Sequence, residues 1–250
     1  ESKLGIVKGS QITPNMIDRA KILAKKYFDE KGYKEAEINI IQKDDISNPD
    51  QVILDVNIDK KAKIKVRKIV IEGNKSLSDN KIKGTLVSKG VFSKTHEAGK
   101  LNSFLKSKKF IDDRYVKDKQ QLIEKYNELG FRDAVILKDS VAICDRNHVN
   151  IYLKIDEGKK YYLRNVTWVG NTVATTDYLN NVLRMKKGDV YNQKLLDKRL
   201  TSDEDAVGNF YYNSGYVFFN IQPREVNIDN DSIDLEMRIY EGQQAHINYV

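Results

Sequence analysis

Apolar residues recur along this chain in two periods, and the two alternate in blocks. Between residues 14 and 31 they fall at Ile17, Ala20, Leu23, Ala24, Tyr27 and Phe28, the spacing of a helix with one buried face. Thr13 is suited to cap this helix, and Pro14 to hold its first position, where the missing N–H leaves nothing unsatisfied. Gly32 then closes it in a left-handed conformation. The same stripe returns over about 114–129, with Val116, Leu122, Ile123, Tyr126 and Leu129 before Gly130. It returns again over about 192–214, with Leu196, Leu200, Val207, Phe210 and Tyr211 before Gly215. Two strands follow each glycine, and the second has strict period two. Val52, Leu54, Val56 and Ile58 alternate with Ile53, Asp55, Asn57 and Asp59, and Val149, Ile151, Leu153 and Ile155, then Ile233, Leu235, Met237 and Ile239, alternate with more polar neighbours. Such alternation predicts a sheet covered on one face only. The segments joining paired strands, Ser47–Asp50, Asp145–His148 and Asp229–Ser232, are rich in turn-forming residues.

These blocks are copies of one another. An aromatic residue, three others, Gly and a second aromatic occur as Phe28…Gly32-Tyr33, Tyr126…Gly130-Phe131 and Tyr211…Gly215-Tyr216. Val70-Ile71-Glu72-Gly73-Asn74 is echoed by Trp168-Val169-Gly170-Asn171, and Asp156-Glu157-Gly158 by Tyr240-Glu241-Gly242. The echoes keep their order and nearly the same offset, which predicts a tandem repeat. In the second and third copies a short strand (Lys68–Glu72, Asn165–Val169) and a short helix (about 79–88 and 176–184) precede the long helix. Ser78 and Thr175 are the expected N-caps of the short helices. The unit is therefore strand, helix, helix, strand, strand, an α+β arrangement with two helices on one face of a three-stranded mixed sheet. The expected division is 1–65, a partial unit lacking its opening strand and helix; 66–162, with an expansion around 88–115; 163–246; and 247–250, the start of a further unit.

Composition narrows the chemistry. The 250 residues are 40% hydrophobic and 32% charged, with three prolines, which is a packed rather than a disordered composition. No apolar run approaches the ~18 residues of a membrane helix. The single cysteine, Cys144, excludes an internal disulfide and a thiolate zinc site, and is expected to pack inertly in a strand. His96, His148 and His246 have no ligand spacing, Gly99-Lys100 lacks the earlier glycine of a phosphate loop, and Asp229-Asn230-Asp231 lacks the rest of a calcium loop. Trp168 is expected in the core. The net charge of +7 is concentrated. Residues 1–65 carry 13 basic and 11 acidic side chains (+2), residues 66–163 carry 21 and 13 (+8), and residues 164–250 carry 9 and 12 (−3).

A tandem β-α-α-β-β unit of this length resembles the POTRA domain. The stretches that carry the resemblance are Ile69–Lys75, with its Gly-Asn; Tyr126–Ala134, with its Tyr-x-x-x-Gly-Phe; and Val149–Gly158, a strand ending in Asp-Glu-Gly. Several such units in tandem resemble the periplasmic part of a BamA-type outer-membrane assembly factor. The first copy departs from the pattern, with Asp59-Lys60-Lys61 where Glu-Gly would stand.

The resemblance implies a docking module rather than an enzyme, without cofactor or metal, at the periplasmic face of the bacterial outer membrane. Its implied partners are unfolded outer-membrane proteins, accessory lipoproteins and a C-terminal β-barrel of the same protein, with no nucleic acid. A client strand is expected on the first strand after each helix-closing glycine, because the last strand is the natural centre and the neighbouring unit crowds the opening one. That points to Ala134, Val135, Ile136, Leu137 and Lys138 (strand 134–141) and to Val217, Phe218 and Phe219 (strand 217–221), where Pro223 is expected to interrupt the edge. The expansion interleaves aromatics with Lys94, Lys100, Lys106, Lys108, Lys109 and Arg114. Lys100, Lys106, Lys108 and Lys109 are its candidate contacts for an acidic partner or anionic headgroup. The alternatives are an array from a two-partner secretion system or other translocase, a basic nucleic-acid-binding repeat protein, and a hydrolase with a dispersed site.

Overall fold

The computed structural model describes residues 4–84, 90–92, 95 and 109–248. The chain gathers into two compact units, one of residues 1–72, 77–120 and 138–154, the other of 73–76, 121–137 and 155–250. In chain order the elements of the first repeat are α1 (Pro14–Glu30), β1 (Glu37–Asp44) and β2 (Val52–Asp59). The second repeat has β3 (Lys65–Glu72), α2 (Asp79–Lys83), α3 (Asp112–Glu128), β4 (Val135–Asp145) and β5 (His148–Asp156). The third has β6 (Tyr162–Val169), α4 (Thr176–Leu183), α5 (Gln193–Asp197), α6 (Val207–Asn213), β7 (Asn220–Asp229) and β8 (Ser232–Tyr240).

The sheets are orders β1-β2, β3-β5-β4 and β6-β8-β7. In the two complete repeats the opening strand runs parallel to the last strand, and in the third β7 is antiparallel to β8. The alternating apolar side chains of β5 and β8 are buried: Val149, Ile151, Leu153 and Ile155, then Ile233, Leu235, Met237 and Ile239. Each such burial contributes roughly 1.5–3 kcal/mol. In the first repeat the corresponding Val56 and Ile58 of β2 remain exposed, because α1 alone covers its two strands.

The aromatic-glycine echo is a helix terminator. The N–H of the aromatic after each glycine donates back to the carbonyl of the aromatic before it: Tyr33 to Phe28 (2.9 Å), Phe131 to Tyr126 (3.0 Å) and Tyr216 to Tyr211 (3.0 Å). This is the six-to-one bond of a Schellman ending, with an apolar contact across it. The paired rings meet edge-on at centroid distances of 6.2, 6.0 and 6.0 Å. Tyr126 and Tyr211 are fully buried, as their place on the helix stripe predicts.

Four expectations need correction. The long helix over 192–214 is broken. After α5 comes a π-helical turn, Lys198–Ser202, then an irregular stretch before α6. Arg199 is buried at 4% exposure, its Nε donating to Val182 O (3.0 Å) and its Nη1 to Asp205 (2.5 Å) and Asp203 (3.2 Å). An α-helix would place residue 205 far around the axis from residue 199, so gathering both carboxylates on one guanidinium requires the helix to open. Ala134 is not in a strand. It is buried in the turn before β4, with its N–H bonded to Phe131 O. Val217, Phe218 and Phe219 likewise precede β7, and Phe219 turns inward to stack on Tyr211 at 4.2 Å. Both segments tighten because the terminator needs a further turn before the chain can extend. Finally, Pro223 does not interrupt β7, which runs through it opposite Met237. An outer strand tolerates the missing N–H where that position faces away from its neighbour. Trp168 is partly buried against the third repeat's core, its Nε1 donating to Asn180 (2.8 Å). Cys144 lies half-buried in β4.

Candidate functional site

The first strand after each terminating glycine is an outer strand: β1, β4 and β7. An outer strand presents a row of main-chain N–H and C=O groups without a sheet partner. Val135, Ile136, Leu137 and Lys138 all lie on β4, where Val135, Leu137, Val141 and Ile143 are exposed while Ile136 is half-buried. Val217 and Phe218 are exposed on the turn that leads into β7, whereas the inward Phe219 has no free surface to offer. On β7, Pro223 has no N–H and must occupy an outward-facing register position. Ile221 and Glu225 share its register, opposite Ile239 and Leu235. Lys138 stands 85 residues before Pro223, at the matching place in β4.

The space between the long helix and the outer strand differs among repeats, and nothing in the periodicity signals it. In the first repeat a groove of about 460 Å³ runs between α1 and β1, lined by Lys21, Ile22, Lys25, Lys26, Ala36 and Ile38. Lys25 reaches across its end to the carbonyls of Lys34 and Ala36, the second at 3.0 Å. In the second repeat a clasp occupies the matching space. Tyr115 Oη donates to Asp139 Oδ1 (2.5 Å), and Lys119 bonds the other oxygen of the same carboxylate. Burial and this carboxylate push the Tyr115 hydroxyl far above its ordinary pKa. In the third repeat Tyr212 lies edge-on to Phe219 at 6.0 Å beside the outer strand.

The remaining echoes meet at one buried carboxylate per complete repeat. Glu241 Oε1 accepts from Thr172 N (2.8 Å), Val173 N (2.9 Å) and Tyr211 Oη (2.9 Å), and its other oxygen from Thr172 Oγ1. Burial opposes its ionisation, but the bonds from Thr172, Val173 and Tyr211 outweigh it and hold the carboxyl below its ordinary pKa. In the second repeat Glu157 accepts from Ser76 N (2.8 Å) and Ser76 Oγ (2.7 Å). Burial and the nearby Glu157 raise the Tyr126 hydroxyl's pKa, but the hydroxyl does not complete the hydrogen bond that Tyr211 makes. The glycine beside this loop is forced. A Cβ on Gly73 would stand 1.9 Å from Ile155 O, and one on Gly170 2.2 Å from Ile239 O. The Asp-Glu-Gly, Gly-Asn and aromatic-glycine signatures therefore build scaffold that fixes the sheet against its helices.

Of the basic candidates, Lys100, Lys106 and Lys108 lie outside the described residues, as do Lys94 and His96. Lys109 is half-buried and bridges to Lys65 at the start of β3. The expansion is anchored at its ends. Phe92 N donates to Ile82 O (2.8 Å), Phe92 and Phe110 are buried around Tyr115, and Thr95 N donates to the buried Asp118 (2.6 Å). Among the described residues no group of His, Cys, Asp and Glu is arranged to hold a metal ion, and no helix is long and apolar enough to cross a membrane.

The family profile "POTRA: Surface antigen variable number repeat" matches residues 64–158 and 161–242. The outer membrane protein assembly factor BamA of Nitratidesulfovibrio vulgaris is 24% identical over 198 residues, 78% of this chain and 24% of that protein. BamA of Neisseria meningitidis serogroup B is 23% identical over 202 residues, 80% of this chain and 24% of that protein. The chain thus spans about a quarter of the length of the curated relatives it matches. Among solved structures, Haemophilus influenzae BamA POTRA3-5 aligns with a TM-score of 0.49 at 17% identity, covering 93% of this chain and 83% of that one.

Proposed function

From the premise that this chain belongs to the POTRA family, we propose that it is a periplasmic docking module of an outer-membrane protein assembly factor, not an enzyme. It receives unfolded β-barrel proteins as extended segments added to an outer strand, while accessory lipoproteins use its other surfaces and a β-barrel of the same protein anchors it. The observation that carries this reading is the outer position of β1, β4 and β7 in all three sheets. Main-chain pairing tolerates many client sequences, which an assembly factor needs. The first repeat is the most receptive, since a groove lies open there beside the outer strand for the incoming side chains. Lys100, Lys106, Lys108 and Lys109 supply a second contact, for an acidic partner or an anionic headgroup.

The test is a proline at the outward register. Lys138→Pro in β4 copies the place Pro223 holds in β7, and Gln42→Pro in β1, opposite Leu54, takes the exposed position two residues beyond the counterpart Ile40, on the same alternation. Each variant is expected to stay folded by circular dichroism. Together they should abolish binding of a fluorescent peptide taken from a β-barrel strand. A doubly substituted protein that is folded and binds the peptide as before refutes edge pairing.

A further inference from the structure

Three segments of the first compact unit are drawn together by main-chain bonds. Ile64 N donates to Gly32 O (3.1 Å), Phe110 N donates to Ile64 O (2.8 Å), and Lys65 bridges to Lys109. The approach is close enough that a Cβ on Gly32 would stand 2.8 Å from Lys109 Cβ. These segments and the turn that follows them carry four cations: Lys31 at the end of α1, Lys63 before β3, Lys109, and Arg114 in the first turn of α3. The Lys63 ammonium lies 5.0 Å over the Tyr33 ring.

Three carboxylates of the same unit are engaged by other cations. Asp112 takes Lys34 at 2.8 Å, while Glu37 and Asp59 share Lys61 at 3.3 and 2.7 Å. Asp113, beside Arg114 in the chain, forms no ion pair with any of the four. Burial, and then the charges of Lys63, Arg114 and Lys31, hold the Lys109 ammonium below its ordinary pKa. Three separate positive charges are thus felt at Lys109, and among the described residues none of the four cations is held in an ion pair.

We propose that Lys31, Lys63, Lys109 and Arg114 form a binding site for a compact, multiply charged phosphate-type anion, either free or carried on a lipid headgroup. Convergence selects this ligand over an acidic peptide. Alternate side chains of an extended peptide stand about 7 Å apart along a line, whereas these cations come from separate segments that main-chain bonds bring together at Lys109. A phosphate group offers several oxygens to one such centre, and the Arg114 guanidinium can take two of them at once. All four residues lie among the described ones. The site includes no residue of β1 or β4, so the proline variants of those strands leave it intact and the two readings fail separately.

The whole 250-residue chain is titrated with inorganic pyrophosphate by calorimetry. In parallel it is floated with vesicles of phosphatidylglycerol and phosphatidylcholine, against phosphatidylcholine alone. Lys109→Met keeps the aliphatic stem on Gly32 and removes the charge, and Arg114→Gln alters an exposed side chain. Lys159→Gln removes one exposed charge elsewhere in the second repeat. Pyrophosphate binding that weakens about tenfold or more in Lys109→Met and in Arg114→Gln, but not in Lys159→Gln, supports a free anion. The same pattern confined to the anionic vesicles supports a headgroup. If Lys109→Met lowers the melting temperature, Lys109→Arg should restore binding. The proposal is overturned if neither probe binds, if all three variants lose affinity equally, or if a polyglutamate peptide displaces pyrophosphate at equal charge and binds more tightly.

Discussion

Tyr211 and Tyr126 hold equivalent places on their helices, yet removing the two hydroxyls should have different effects. Tyr211 is fully buried and its hydroxyl donates 2.9 Å to Glu241, a carboxylate that keeps three other donors. Tyr211→Phe therefore removes one charge-assisted hydrogen bond and opens almost no cavity, a loss of about 1.5–3 kcal/mol. The Tyr126 hydroxyl is buried without a completed hydrogen bond, so Tyr126→Phe discards an unsatisfied group and should be neutral or slightly stabilising. Trp168, the only tryptophan, lies in the third repeat beside the core that contains Tyr211. Its fluorescence in a urea titration reports the unit that Tyr211 supports, and far-UV circular dichroism follows Tyr126→Phe. With a slope of about 2 kcal/mol per molar urea, the expected loss lowers the Tyr211→Phe midpoint by about 1 M at unchanged slope. Equal midpoint shifts in the two variants, or none in Tyr211→Phe, would refute the claim that the buried glutamate draws stability from its tyrosine.

Further expectations follow from the same loop. Glu241's carboxyl lies below its ordinary pKa in the folded protein, so its stabilisation is present above the unfolded value of about 4.3 and is lost as pH falls through the lower folded value. Glu241→Gln should lower stability at neutral pH and flatten that acid limb in Trp168-monitored melts, and an unchanged limb counts against the linkage. Gly170→Ala should cost about 3 kcal/mol or more, because φ is +89° and its Cβ would meet Ile239 O at 2.2 Å. Gly188→Ala, at the same φ with nothing within 4 Å, should cost only about 1–2 kcal/mol. Equal melting temperatures for the two alanine variants would show that the close contact is not what fixes Gly170.

Periodicity made the repeated unit legible because its helices and last strands have one wet and one dry face. Val149 to Ile155 and Ile233 to Ile239 alternate without exception, and their partners in the sheet follow from simple strand-order reasoning. The candidate site was less visible. The Tyr115–Lys119–Asp139 clasp joins a helix to a strand about 20 residues on, through side chains that look like ordinary surface polar groups. The α1–β1 groove arises from what its lining residues fail to fill, which no local pattern records. The break after α5 escaped for a related reason. Leu196, Leu200 and Val207 keep helical spacing, but Arg199 gains more from Asp203, Asp205 and Val182 O than the helix gains from continuing. The exposed cations around Lys109 were readable as charge, and only the fold shows that those from the first repeat's end join them.

The carbonyl of each terminating glycine accepts one further bond: from Ile64 at Gly32 (3.1 Å), from Tyr161 at Gly130 (2.8 Å) and from Ala245 at Gly215 (2.9 Å). The acceptor belongs to a turn that every copy must have in order to end its helix, and the donor is a main-chain amide that any residue except proline supplies. Side chains at the three donor positions are accordingly unrelated. A gene segment that duplicates or deletes one copy carries a complete plug and socket with it. Copy number can therefore drift during evolution without any compensating substitution at the joint.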